Sequence, residues 1–230
     1  MADFYRYVGK YMLCGVMETT SPQHIHSVLS RPIKNDVGQV YTSLTAFNAA
    51  FPHSTKAVSP QASPLKIEWL TTPLGPMLCV ADETHLYMLE FTNRKSMARG
   101  FEALRKSNGR AITPGRTAIT KQIKAELTAY FGGELKQFKT PLAPTGTPFQ
   151  KQVWAVLRDI PYGQSCAYSD LAVKIGNQKA VRAVASANAR NLLALIIPCH
   201  RVIAKDGGLG GYAGGIDKKD WLLTHEAAHS

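Results

Sequence analysis

The stretch "LLALIIPCHRVIAKDGGLGGYAGG" (192–215) constrains this chain more than any other. Its apolar start reads as a buried strand that Pro198 stops, since proline cannot continue a hydrogen-bonded ladder. Cys199 and His200 follow at once. Neighbouring side chains on a straight strand point to opposite faces. A cysteine and a histidine that work together here therefore need a tight turn directly after Pro198. On the residues alone Cys199 has two readings, a small buried hydrophobe or a nucleophile with a base beside it.

The residues from 139 onward are punctuated to match. "KTPLAPTGTP" (139–148) is a proline-rich boundary. Thr147, Pro148 and Gln150 then make a helix start, with Thr147 as N-cap, Pro148 in the first helical position and Gln150 completing a capping box. Phe149, Val153, Trp154 and Leu157 form the apolar stripe of that helix, which "IPYG" ends. Two short helices follow, over about 169–175 and 178–188. Gly176 is placed to end the first in a left-handed turn and Asn177 to cap the second. Ala180, Val181 and Val184 face inward by spacing, which turns Arg182 outward. A helix, a tight glycine turn and a second helix is an arrangement that reads DNA, and also one that serves as a plain helical hairpin.

Upstream, "KIEWLTTPLGPMLCVADETHLYMLEF" (66–91) reads as three strands joined by "TTPLGP" and "ADET", followed by helices near 95–106 and over 118–131. "KAVSPQASPLK" (56–66) reads as a linker. The net charge of +11 is spread along the chain rather than packed into a tail. That balance suits a polyanion, nucleic acid above all, although charge also serves solubility. The 45% hydrophobic and 19% charged content is that of an ordinary globular protein. No apolar run is long enough for a membrane span, and the N-terminus lacks the apolar segment of a secretory signal, so a cytoplasmic location is expected. Cys14, Cys79, Cys166 and Cys199 form neither a CxxC pair nor a disulfide framework. A metal site joining Cys14 to His24 and His26 is less expected than a solvated loop.

"GTPFQKQVW", "IPYG", "YSDLA", "KAVRAVASAN", "IIPCHRVI" and "GGYAGG", with "KKDWLLTHE" after it, fall in an order and at spacings that resemble one family. It is the O6-alkylguanine-DNA alkyltransferases, or methylated-DNA–protein-cysteine methyltransferases. The resemblance covers most of residues 64–230. It implies an α/β fold: a small ribonuclease-H-like domain over 64–145, then a helical winged helix-turn-helix domain over 146–230. It implies an irreversible, single-turnover transfer of the alkyl group from O6-alkylguanine, and also O4-alkylthymine, in flipped-out bases of double-stranded DNA. Neither cofactor nor metal is implied, and the protein is expected to be a monomer.

The resemblance also assigns roles. Cys199 accepts the alkyl group, His200 takes the thiol proton through a water, Glu226 orients His200, and Asn191 braces the site. Tyr168 bonds N3 of the flipped guanine and crowds the 3′ phosphate, while Arg182 fills the vacated stack. The carbonyls of Cys199 and Val202 accept from the guanine amino group, and the Ala213 N–H donates to O6. Glycines 210, 211, 214 and 215 let the pocket loop approach a flat base. Ala185, Leu192, Ala194 and Ala213 depart from the residues common in the family, the first two in the manner of its adaptive-response (Ada-type) branch. Residues 1–63 lie outside the resemblance, and 38–60 faintly resemble half of an AraC-type helix-turn-helix, which suggests a remnant regulator domain. Two rivals stand beside this reading: a DNA-binding regulator with an idle cysteine, and a cysteine hydrolase.

Overall fold

The computed structural model describes residues 63–94 and 96–230. The AraC-like segment 38–60, most of the linker at 56–66, and Cys14, His24 and His26 lie outside the described residues. The described chain has a small sheet domain followed by a helical domain.

Strands β1 (Leu65–Leu70), β2 (Met77–Ala81) and β3 (Leu86–Phe91) form the expected meander. Gly75, at φ 102°, makes the first turn. At the second, Asp82 Oδ1 accepts from the backbone N–H groups of Thr84 and His85, both at 2.8 Å. Helix α1 (Met97–Asn108), strand β4 (Ile112–Pro114) and helix α2 (Ala118–Phe131) follow. The sheet order is β3-β2-β1-β4, with β4 parallel to β1 and the other pairs antiparallel.

Every residue of β2 is buried, because both sheet faces are covered. Leu78 and Val80 face a core shared with Met97, Phe101 and Leu104 of α1. Met77 and Cys79 face α2 and the core of the helical domain. Cys79 is thus a core hydrophobe, and burial pushes its thiol far above the ordinary range.

In the helical domain α3 (Pro148–Arg158) begins as its sequence requires. Thr147 Oγ1 accepts from the Gln150 N–H at 3.3 Å, and Gln150 Oε1 accepts from the Thr147 N–H at 2.9 Å. Val153, Trp154 and Leu157 are buried and Phe149 packs against the same core. After β5 (Cys166–Ala167), helix α4 (Tyr168–Lys174) ends near Gly176, whose φ is 78°. Asn177 makes no side-chain cap, contrary to expectation. The second helix is instead entered through a 3-10 turn, Gln178–Ala180, before α5 (Val181–Asn188). Val184 is buried, Ala180 and Val181 are half-buried, and Arg182 is exposed. The Trp154 indole N–H donates to the Ala187 carbonyl at 2.9 Å, tying α3 to α5.

Residues 192–198 correct the sequence reading. They are largely buried but form turns rather than a strand, and only Leu193 makes a bridge, with Leu89 on the outer edge of β3. Leu195 sits at φ 70°, a left-handed conformation that breaks any extended run. Beyond it come the 3-10 turn Cys199–Arg201, strand β6 (Val202–Ile203), paired in parallel with β5, and helix α6 (Ile216–Ala228). Among the described residues no helix is long and apolar enough to cross a membrane.

Replacing Thr147 with alanine removes half of the capping box and should cost about 1 kcal/mol. For a protein of this size that lowers the Tm by roughly 2–4 °C in a thermal melt. An unchanged Tm would show that the box does not hold α3.

Candidate active site

The tight turn required by adjacent Cys199 and His200 is present. The Cys199 N–H donates to Ile197 O at 2.7 Å and the Arg201 N–H to Pro198 O at 3.0 Å. The turn sets the two side chains to different tasks. Cys199 lines a pocket of about 430 Å³ that Tyr168, Asn188, Asn191, Ala194, Tyr212 and Ala213 also line, with Glu90 and Arg94 contributed by the sheet domain. His200 is wholly buried and does not line that pocket.

Asn191 meets the thiol directly. Its Nδ2 donates to Ile197 O at 2.8 Å and lies 3.3 Å from Cys199 Sγ, while its Oδ1 accepts from the Leu193 N–H at 2.9 Å. These partners fix which end of the amide is nitrogen. Burial pushes the Cys199 thiol up to about 11, against the pull of the Asn191 donor. Near neutral pH the cysteine is therefore a thiol, and using it as a nucleophile requires a base.

His200 has the form of that base. Its Nε2 is 2.8 Å from Glu226 Oε1, and its Nδ1 has no hydrogen-bond partner within the protein. Burial lowers the pKa of His200, although Glu226 opposes the shift. A neutral ring that gives Nε2–H to the carboxylate keeps a free lone pair on Nδ1.

Glu226 is fully buried on α6. It also accepts from the Tyr130 hydroxyl at 2.7 Å, Arg201 Nε at 2.8 Å, Arg201 Nη2 at 3.0 Å and the Gly163 N–H at 3.3 Å. Burial alone would raise its pKa, but His200 and Arg201 outweigh burial and hold the carboxyl well below the usual carboxylate range. The buried carboxylate is thus an ion with its lone pairs engaged.

Lys219, also fully buried, donates to the carbonyls of Val202 and Leu209 and so straps the glycine-rich segment to β6. A Cβ on Gly214 would come within 2.8 Å of the Tyr212 ring and 3.1 Å of the Phe91 ring, so a side chain here would force both rings to shift. Among the described residues no group of three His, Cys, Asp or Glu side chains is placed to hold a metal.

Of the residues expected from sequence, Cys199, Asn191, Tyr168 and Ala213 line one pocket. His200 and Glu226 pair away from its wall. Val202 lies outside the lining, and its carbonyl already accepts from Lys219. Arg182 stands exposed on α5, also outside the lining. Sequence reasoning missed Tyr130, Arg201, Lys219, Glu90 and Arg94. One signal was readable: Glu90 is the lone charge in the strand "LYMLEF", and a buried carboxylate demands a cation nearby.

Comparisons agree with this geometry. Residues 65–144 match the family model described as 6-O-methylguanine DNA methyltransferase, ribonuclease-like domain, and residues 148–228 match the DNA binding domain of the same description. The methylated-DNA–protein-cysteine methyltransferase of Methanosarcina acetivorans is 42% identical over 157 residues, spanning 68% of this chain and 95% of the relative. The constitutive enzyme of that name from Bacillus subtilis is 41% identical over 156 residues, spanning 67% and 91%. The crystal structure of Mycobacterium tuberculosis OGT in complex with DNA superposes with a TM-score of 0.62 at 35% identity, covering 72% of this chain and 94% of that one. The chain therefore belongs to the methylated-DNA–protein-cysteine methyltransferases, enzymes that repair DNA by moving an alkyl group onto a cysteine.

Proposed function

We propose that this protein repairs O6-alkylguanine, and O4-alkylthymine, in double-stranded DNA by moving the alkyl group irreversibly onto Cys199. The observation that carries the reading is a thiol on a pocket wall, contacted by Asn191 at 3.3 Å, with the His200–Glu226 pair next in the chain. Protonated Cys199 is a weak nucleophile. His200 Nδ1 takes its proton through a water, with Glu226 holding the ring tautomer. A bond forms between Sγ and the alkyl carbon as the carbon–O6 bond breaks, and its electron pair stays on the base. The Tyr168 hydroxyl at N3 and the Ala213 N–H at O6 stabilise that developing charge. Burial raises the Tyr168 pKa, so the hydroxyl keeps its proton to donate. The carbonyls of Cys199 and Val202 receive the guanine amino group, which at Cys199 displaces the long 3.4 Å contact from Asn188 Nδ2.

The target base must leave the stack, at a cost of a few kcal/mol, and exposed Arg182 on α5 fills its place. The sheet domain is ribonuclease-H-like and the helical domain a winged helix-turn-helix, with α5 against the DNA and the +11 charge drawing it to the backbone. The protein acts as a cytoplasmic monomer on the nucleoid, and residues 1–63 are a regulator remnant preceding the two domains. A thioether is a poor leaving group, so each molecule acts once.

Incubation with duplex DNA carrying radiolabelled O6-methylguanine should give a burst of about one methyl per protein, as expected for a nucleophile that is not regenerated. Peptide mapping should place the label on Cys199, and Cys199→Ser should abolish transfer while retaining DNA affinity. Label on Cys14, Cys79 or Cys166, or transfer by the serine variant, would exclude this nucleophile. Continued turnover would favour a hydrolase, and no transfer at all a regulator.

Arg182→Ala should slow repair of duplex DNA far more than repair of the free base, because only duplex repair includes extrusion. Equal losses on the two substrates would remove Arg182 from base flipping.

A further inference from the structure

Glu90 and Arg94 form a buried ion pair on the pocket wall that the proposed chemistry does not use. Burial raises the Glu90 pKa, and Arg94 is the main opposing influence. An apolar pair of similar volume commonly stabilises a fold as well as a buried ion pair does, so packing alone does not account for these two residues. Their contacts do.

Arg94 follows β3 at the edge of the sheet domain, yet its guanidinium spends two donors across the domain boundary. Nη1 donates to Glu90 and, at 2.6 Å, to the Asn191 carbonyl, while Nη2 donates to the Ala189 carbonyl at 2.5 Å. Nε donates to Ser96 Oγ at 2.8 Å. Ala189 and Asn191 lie just past the end of α5, where helix carbonyls lack partners and a cation is favoured. Glu90 Oε1 in turn accepts from the Phe91 N–H at 3.0 Å, which anchors the carboxylate to its own strand.

The chain just beyond is held separately. The Leu89 N–H donates to Leu192 O and the Ala194 N–H to Leu89 O, both at 2.8 Å. Leu192 packs onto Gly100 of α1, where a Cβ would lie 2.6 Å from its Cδ2. Backbone pairing thus fixes 192–194, whereas over 189–191 the N–H groups bond back into α5 and Arg94 holds the carbonyls of Ala189 and Asn191. Asn191 sits at the junction, with its carbonyl on Arg94 and its carboxamide on the thiol.

We propose that Arg94, anchored by Glu90, is a positioning residue for alkyl transfer: it locks the Asn191 backbone so that the carboxamide faces Cys199 Sγ. Without it the Asn191 carbonyl loses its donor and the peptide after Asn191 is free to turn, which loosens the Nδ2 contact with sulfur although Ile197 O and the Leu193 N–H still hold the carboxamide. A donor at 3.3 Å favours the thiolate that forms during attack. Its loss slows transfer and shifts the rate toward higher pH. Arg94 also lowers the thiol directly through its charge, as Lys219 does, whereas Glu90 raises it, and Tyr168 and Tyr212 face the sulfur as neutral hydroxyls.

The proposal rests on Cys199 as the acceptor, and its test uses the full chain with saturating methylated duplex in single turnover. Arg94→Met should lower the rate constant by about 10–100-fold, the scale of a small misplacement in an active site. The rising limb of the pH–rate profile should move to higher pH, with duplex affinity within a few-fold. Arg94→Lys should recover part of the rate, since an ammonium cannot span the carboxylate and both carbonyls in one plane. Glu90→Gln separates positioning from charge and decides the matter if Arg94→Met does not fold. Loss of the carboxylate charge alone would move the profile to lower pH, whereas a loosened Arg94 slows transfer and moves it to higher pH. A shift to lower pH with the parent rate would overturn the positioning role. A folded variant with the parent rate and profile would overturn the positioning role, as would a rate loss equal at every pH. Those results leave Cys199 as acceptor intact if the parent chain is labelled there. A parent chain that takes no label overturns both.

Discussion

A single buried carboxylate organises the catalytic half of this molecule. Glu226 takes hydrogen bonds from Tyr130 in α2, from Gly163 in the connection after α3, and from His200 and Arg201 in the nucleophile's own turn. An unpaired buried charge would cost several kcal/mol, so each donor must stay in place for the ion to be tolerated. The sheet domain, the helical domain and the Cys199–Arg201 turn are thereby held to one another through one side chain. Arg201 balances the charge, bonding Glu226 with two nitrogens and the Ile160 carbonyl with the third at 2.6 Å. That balance leaves His200 free to remain neutral.

The same economy appears on the other side of the thiol. Asn191 spends its carboxamide on a tight turn and on sulfur, so folding of 191–199 and tuning of Cys199 are one event. Burial raises the thiol pKa to about 11 and spares the cysteine from standing as a reactive thiolate in the resting protein. Cys79, deep in β2, shows burial without a pocket, and Cys166 is half-buried away from the pocket wall. Cys199 alone of these three lines the pocket and meets a side-chain donor, Asn191.

Local structure was legible in the sequence wherever local chemistry decides it. The capping box at Thr147, the helix over 118–131, the three strands and the left-handed Gly176 all follow from residues within a turn of each other. Residues 192–198 misled because apolar composition reports burial and not backbone shape. The left-handed Leu195 and the hydrogen bonds of Asn191 shape that segment, and neither leaves a periodicity. Likewise Tyr130 reads as one more apolar position of α2, although its hydroxyl meets a carboxylate 96 residues away. The tight turn that carries Cys199 and His200 was legible through Pro198. The partners that hold Glu226 against His200 are contacts across domains, which spacing does not encode.

The central claim is that Glu226 holds His200 as a neutral base with its proton on Nε2. Nitrogen-15 NMR of the histidine rings in the free protein, followed through a pH titration, tests it directly. Burial lowers the His200 pKa, so the account predicts a neutral Nε2–H tautomer at pH 7 that gains a second proton only below the ordinary value of about 6.5. A ring doubly protonated at neutral pH, or a proton resting on Nδ1, would contradict it.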